Sequence, residues 1–205
     1  LRPVVVHRRP ARSGPATPLV VLLHGRGADE HDLIDVAERL PRAYCYASVR
    51  APVAVDGGGF TWFENRGPAR PIPGSVRSSV AAFRAWLDET VERTRPCYLF
   101  GFSAGMMMAA ALLFDDPQRF AGGVLLSGAL PPGTADGPAA RLDGVPIFYG
   151  RGSYDDVIPA PLVAESERYL RERSGAALTF RTYPHAHAIS ERELDDVAAW
   201  FRSLA

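Results

Sequence analysis

Gly101-Phe102-Ser103-Ala104-Gly105 stands between an apolar run, Tyr98-Leu99-Phe100, and a helix-forming run, Met106 to Leu113. A strand that turns into a helix across one serine admits few folds. The flanking glycines allow a sharp turn and close backbone approach. The serine oxygen is then held at the end of a sheet, with the Ala104 amide facing the space beside it. This is the context of a G-x-S-x-G nucleophile elbow. The pentapeptide alone is common, and the plain alternative is a turn with an inert serine cap. What lies downstream decides between them.

Val145 to Tyr149 reads as a buried strand running into Gly150-Arg151-Gly152-Ser153-Tyr154-Asp155-Asp156-Val157-Ile158-Pro159. A carboxylate in such a loop is placed to orient a histidine. Leu178 to Thr182 reads as another strand, followed by Tyr183-Pro184-His185-Ala186-His187. Ser190-Glu191-Arg192-Glu193 then opens a helix with a Ser-x-x-Glu capping box. His187 is thereby expected at the same end of the sheet as Ser103. The chain order serine, acid, histidine is that of the α/β-hydrolases. Upstream, Leu19 to Leu23 is continuously apolar, as buried parallel strands are, and leads into His24-Gly25-Arg26-Gly27-Ala28-Asp29. The amides of Arg26 and Ala104 are the expected pair of oxyanion donors.

Strands are expected near residues 4–7, 19–23, 44–49, 97–101, 122–127, 145–149 and 178–182, and helices near 30–40, 76–93, 104–114, 161–173 and 190–203. Val80, Phe83, Leu87 and Val91 share one helical face, as do Leu194, Val197, Ala198 and Phe201. Such alternation predicts an α/β fold with a mainly parallel central sheet and helices on both faces. A length of 205 residues suits one domain, 1–205, large enough to bury roughly 70% of its unfolded surface. Loops are expected at 10–18 and 131–143.

The segment 53–75 is long and punctuated by Gly57-Gly58-Gly59 and by Pro68, Pro71 and Pro73. Long segments of this kind are often functional. Its aromatics Phe60, Trp62 and Phe63 are candidate walls of a substrate pocket, or else a small satellite core. Ile158 in the acid loop and Met106 are further pocket candidates, with Met107 and Met108 read as helix core.

Two rival constellations are weaker. Gly25-Arg26-Gly27 begins like a dinucleotide-binding turn, but Glu30 occupies the third glycine position and Arg50 ends the next strand. His185-x-His187 near Asp155 and Asp156 imitates a metal site without a clear ligand set. No metal or other cofactor is expected. His24 reads as a loop-organising residue, and Arg151 as a solvated charge or a brace.

Net charge is zero, which gives no reason to expect nucleic acid or an anionic membrane as partner. All 23 basic residues are arginine, which excludes mechanisms that need a lysine in this chain. Cys45 and Cys97 are expected as buried free thiols. With no apolar segment of spanning length and no signal-peptide pattern at Leu1, stable membrane insertion is not expected, and cytoplasm is the expected compartment.

Leu22 to Ala28, Phe60-Thr61-Trp62-Phe63, Gly101 to Gly105, Asp155 to Pro159 and Ala186 to Ser190 appear in the order of one known family. The chain resembles the phospholipase/carboxylesterase family of α/β-hydrolases, which includes the acyl-protein thioesterases. The resemblance implies ester or thioester hydrolysis without a cofactor, with Ser103 as nucleophile, Asp155 as acid and His187 as base. The chain departs from the family pattern at Ala104, Arg151, Asp156 and Ala186, where Gln, His, Pro and Gly are usual. The expected activity is a serine esterase acting on small to medium carboxylic esters. The alternatives are an acyl thioesterase or lysophospholipase, or a non-catalytic binding protein on this fold. The expected partner is a small ester or thioester, with a homodimer left open.

Overall fold

Apolar runs whose side chains point alternately to both faces need cover on both sides of a sheet. The computed structural model describes residues 2–67, 69–134 and 141–204. Pro68 and the middle of the 131–143 loop lie outside the described residues. The strands are β1 (Val5–Arg8), β2 (Leu19–Leu23), β3 (Cys45–Val49), β4 (Val53–Ala54), β5 (Phe60–Thr61), β6 (Cys97–Phe102), β7 (Gly122–Leu126), β8 (Pro146–Gly152) and β9 (Ala177–Tyr183). Seven form one sheet in the order β1-β3-β2-β6-β7-β8-β9, while β4 and β5 make a separate hairpin. Only β1 is antiparallel to its neighbour in the large sheet, pairing Val5 with Val49.

The strands sort their side chains by the period of two. Leu19, Val21 and Leu23 join Leu99, Leu125 and Ile147 on one face, under α1 (Pro73–Thr90), α2 (Ala104–Asp115) and α3 (Ala160–Glu172). Val20 and Leu22 join Phe100, Val124 and Phe148 on the other, under α4 (Glu191–Ser203). Each of these leucines and valines, taken fully out of water, contributes about 1.5–3 kcal/mol. The expected helix faces are the ones buried, with Phe83 and Leu87 on α1 and Val197 and Phe201 on α4.

The helix expected over 30–40 is a correction. Only a 3-10 turn, Ile34–Glu38, forms there. Asp29 Oδ1 accepts the His31 amide at 2.8 Å, and Glu30 turns away to a two-pronged ion pair with Arg50, 2.6 and 2.5 Å. Such local side-chain bonds compete with a helical start. Leu33, Ile34, Ala37 and Leu40 are buried by the short turn instead.

Cys45 and Cys97 are both buried free thiols, and burial pushes Cys97 up to about 12. They pair with Leu19 from its two sides. Two strand spacings, about 9.5 Å, exceed the roughly 7 Å reach of a disulfide. No helix among the described residues is long and apolar enough to cross a membrane.

The parallel register brings the C-terminal ends of β2, β6, β8 and β9 to one edge. Leu23 lies opposite Gly101, Phe102 opposite Leu126, and Gly152 opposite Tyr183. The loops that leave this edge carry Arg26, Ser103, Asp155 and His187.

Candidate active site

Ser103 occupies the one-residue junction between β6 and α2, with φ 56° and ψ −117°. A non-glycine residue at positive φ stores about 1–3 kcal/mol of strain and persists only where its surroundings fix it. Here its amide extends the sheet ladder, donating to Leu126 O at 2.9 Å. Its hydroxyl is left free to face outward.

His187 meets that hydroxyl. Its Nε2 lies 2.9 Å from Ser103 Oγ, and its Nδ1 lies 2.8 Å from Asp155 Oδ2. The carboxylate can only accept, so Nδ1–H donates to it and Nε2 is left to accept the serine proton. The other oxygen of Asp155 accepts the Val157 amide at 3.1 Å. The Asp155 side chain is only 5% exposed, while His187 is 17% exposed and opens to the cavity. The Phe102 ring backs the imidazole at 5.0 Å between centroids. Asp156 points to solvent, and the α3 N-cap position is taken by Pro159 with no side-chain cap bond. The two adjacent acids therefore have different surroundings, and only Asp155 faces a histidine.

The loop after β2 is held by His24. That ring is fully buried; Nδ1–H donates to Gly25 O at 2.7 Å, and Nε2 accepts the Ala51 amide at 3.1 Å. Burial holds His24 below its ordinary pKa, in the neutral form this pattern requires. Its carbonyl accepts the Trp62 indole N–H at 2.8 Å, and the Gly27 amide donates to Phe60 O at 2.8 Å. Arg26 and Ala104 line the same cavity as Ser103 and His187. Ala104 is the first residue of α2, so its amide has no acceptor within the helix and lies at the positive end of the helix dipole.

The cavity measures about 500 Å³. Phe63 and Ile158 line it as expected, joined by Met107, Ala129 and Val157, with Asn65 as a neutral polar group. Three expected wall residues lie elsewhere. β5 ends at Thr61, and the bend at Trp62 and Phe63 sends Phe63 to the cavity while Phe60 and Trp62 face away from it. Trp62 is wedged between His24 and Phe83, with centroids at 5.4 and 6.2 Å. Both aromatics line a separate cavity of about 300 Å³ beside α1, and Trp62 belongs to the main core rather than to a small satellite one. Met106 is fully buried against Gly128, and the next helical position, about 100° around the axis, turns Met107 to the cavity instead. Arg151 is a brace: its Nε donates to Glu167 Oε1 of α3 at 2.6 Å.

His185 and His187 diverge. His185 Nδ1 lies 2.8 Å from Ala186 O, on the far side from Ser103. Among the described residues, no group of three His, Cys, Asp or Glu side chains could hold a metal ion.

Comparison with known proteins agrees with this architecture. The family described as Phospholipase/Carboxylesterase matches residues 10–204. Acyl-protein thioesterase 1 of Candida albicans is 26% identical, over 96% of each chain. The carboxylesterase of Mesorhizobium loti is 26% identical, superposes with a TM-score of 0.80, and matches across 91% of this chain and 88% of its own. The Bacillus cereus carboxylesterase, 23% identical, shares the fold with a TM-score of 0.86 over 99% of this chain and 95% of its own.

Proposed function

The chain belongs to the phospholipase/carboxylesterase family of α/β-hydrolases, and on that premise we propose that it hydrolyses small to medium carboxylic esters through Ser103, His187 and Asp155. One observation carries the reading: the continuous hydrogen-bonded chain Ser103–His187–Asp155 opens onto an apolar cavity of about 500 Å³. Ser103 Oγ attacks the ester carbonyl as His187 Nε2 takes its proton. Asp155 holds the Nδ1–H tautomer and stabilises the imidazolium that forms. The amides of Arg26 and Ala104 receive the developing oxyanion, each donor contributing about 3–4 kcal/mol at the transition state. His187 then protonates the departing alcohol. Water, deprotonated by the same imidazole, releases the acid and restores Ser103.

The same steps serve a thioester, whose thiolate leaves more readily. The likeness to acyl-protein thioesterase 1 across nearly the whole chain supports that second reading.

The test is a panel of p-nitrophenyl esters of increasing acyl length, run beside a thioester series and labelling with a fluorophosphonate. We expect turnover and labelling in the wild type and neither in Ser103→Ala. Ester turnover at the wild-type rate in Ser103→Ala overturns the assignment. Absence of both turnover and labelling in the wild type favours a binding protein on this fold.

A further inference from the structure

A second histidine–carboxylate pair lies behind the loop that carries His187, and the ester chemistry above does not use it. Glu193, the third residue of α4, is completely buried. Its amide donates to Ser190 Oγ at 3.2 Å, one arm of the expected capping box. Its carboxyl group turns inward. Oε2 stands 3.4 Å from His185 Nε2, and Oε1 lies over Gly150 of β8, where a Cβ would come within 2.5 Å of it. Only glycine at position 150 leaves this room.

His185 is committed on its other side. Its Nδ1–H donates to the carbonyl of Ala186, the peptide group that leads directly into His187. Its ring stacks on Tyr183 at 5.8 Å and 9°. Tyr183 in turn donates to Asp196 Oδ2 of α4 at 2.8 Å. Facing Glu193 are thus His185 from the loop, Asp196 on its own helix, the Ser190 backbone at the helix cap, and Gly150 from the sheet. Arg181 precedes this group on β9, beyond Tyr183.

With Nδ1–H given to a carbonyl, Nε2 faces Glu193 with a lone pair unless a proton lies between them. A buried carboxylate opposite a bare lone pair is repulsive, and His185 Nε2 and both Glu193 oxygens are buried without another hydrogen-bond partner. We propose that His185 and Glu193 share one proton and act as a positioning pair that holds the Ala186–His187 segment, so that losing this proton at alkaline pH loosens His187 and lowers turnover. The proton passes to solvent, and no other bond changes. Burial pushes Glu193 up to about 7 against the opposing pull of His185 and the Ser190 backbone, well above the ordinary carboxylate range. The proposal rests on the reading of His187 as the base.

The experiment compares wild type, Glu193→Gln and His185→Phe for p-nitrophenyl acetate hydrolysis and for the rate of fluorophosphonate labelling, from about pH 5.5 to 9.5. The wild type should show an alkaline limb from the pair. In Glu193→Gln the amide N–H keeps donating to Nε2 and does not titrate, so the alkaline limb should vanish. His185→Phe keeps the stacking on Tyr183 but loses both polar contacts. It should be about tenfold slower at every pH, with no alkaline limb, as a small displacement of a reacting group produces. If Glu193→Gln fails to fold, His185→Phe carries the test alone. An alkaline limb unchanged in the folded variants, or absent from the wild type, overturns the positioning role while Ser103-dependent turnover leaves the esterase reading standing. Failure of the wild type to turn over or be labelled overturns the esterase reading, and the positioning role falls with it.

Discussion

Gly105 in the first turn of α2 is pressed against the carbonyl of Leu23 at the end of β2. A Cβ at position 105 would stand 2.5 Å from Leu23 C and 2.7 Å from His24 O, and closer still to the Leu23 oxygen. This contact ties the helix that starts after Ser103 to the loop that carries Arg26, so their two amides share one cavity. No side-chain rotation can relieve a clash with backbone. Gly105→Ala is therefore expected to cost about 3 kcal/mol of stability, at the upper end for one added methyl group, with loss of turnover. Urea denaturation of the variant measures it, and wild-type stability and activity would refute the role of the contact.

Asp155 and Asp156 offer a sharp comparison. Asp155→Asn leaves a hydrogen-bonding group beside His187 Nδ1 but favours the wrong imidazole tautomer, and should reduce turnover by about 10⁴-fold. Asp156→Asn changes an exposed side chain and should leave turnover within about twofold, in keeping with the small effects of most surface substitutions. Steady-state kinetics on the two purified variants decides, and the reverse order would exchange the two roles.

Stability should respond to pH through Glu193 and His24 in opposite directions. Glu193 is raised from 4.5 to about 7, so its contribution to folding is fully present below 4.5 and is lost as pH rises through about 7. Glu193→Gln has no such charge to bury, so its melting temperature relative to wild type should rise between about pH 4.5 and 7 and level off above. His24 is lowered from 6.5, so its contribution is present above that value and is lost as pH falls below it. Melting curves against pH should bend on the acid side in the wild type and less so in His24→Asn. A constant offset between Glu193→Gln and wild type over that range would mean that the carboxyl group titrates alike in the folded and unfolded chain, and would refute the upward shift.

Chelation separates this mechanism from a metal-assisted one. No proposed step needs a Lewis acid, so prolonged treatment with EDTA should leave ester turnover unchanged, and added Zn²⁺ should not raise it. Turnover lost to EDTA and restored by Zn²⁺ would return His185 and His187 to consideration as ligands.

Much of the fold could be read because buried parallel strands are continuous apolar runs, and Leu19 to Leu23 and Cys97 to Phe102 need no partner to be recognised. The stretch 30–40 misleads because Leu33, Ile34, Ala37 and Leu40 have helical spacing, while the bond of the His31 amide to Asp29 and the pairing of Glu30 with Arg50 act against a helix. That ion pair spans 20 residues and has no local signature. Phe60, Trp62 and Phe63 share aromatic character, and only the bend that follows β5 tells which of them faces the cavity. Met106 and Met107 are not distinguished by the sequence, because a helix hydrophobic all round gives no phase from which to tell core from cavity.

The sequence by itself determined the chain order of the seven strands of the large sheet and of α1 to α4, and the positions of Ser103, Asp155 and His187 on loops that follow strands, since local geometry and burial periodicity are written in neighbouring residues. Only the tertiary structure decided which side chains meet. The register of β6, β8 and β9 carries Ser103 and His187 across 84 residues to 2.9 Å, and His187 and Asp155 across 32 residues to 2.8 Å. It likewise turned the Glu193 carboxyl group from its own helix cap toward His185. Hydrogen bonding acts over about 3 Å, a distance that sequence separation does not measure and that packing of the whole sheet sets.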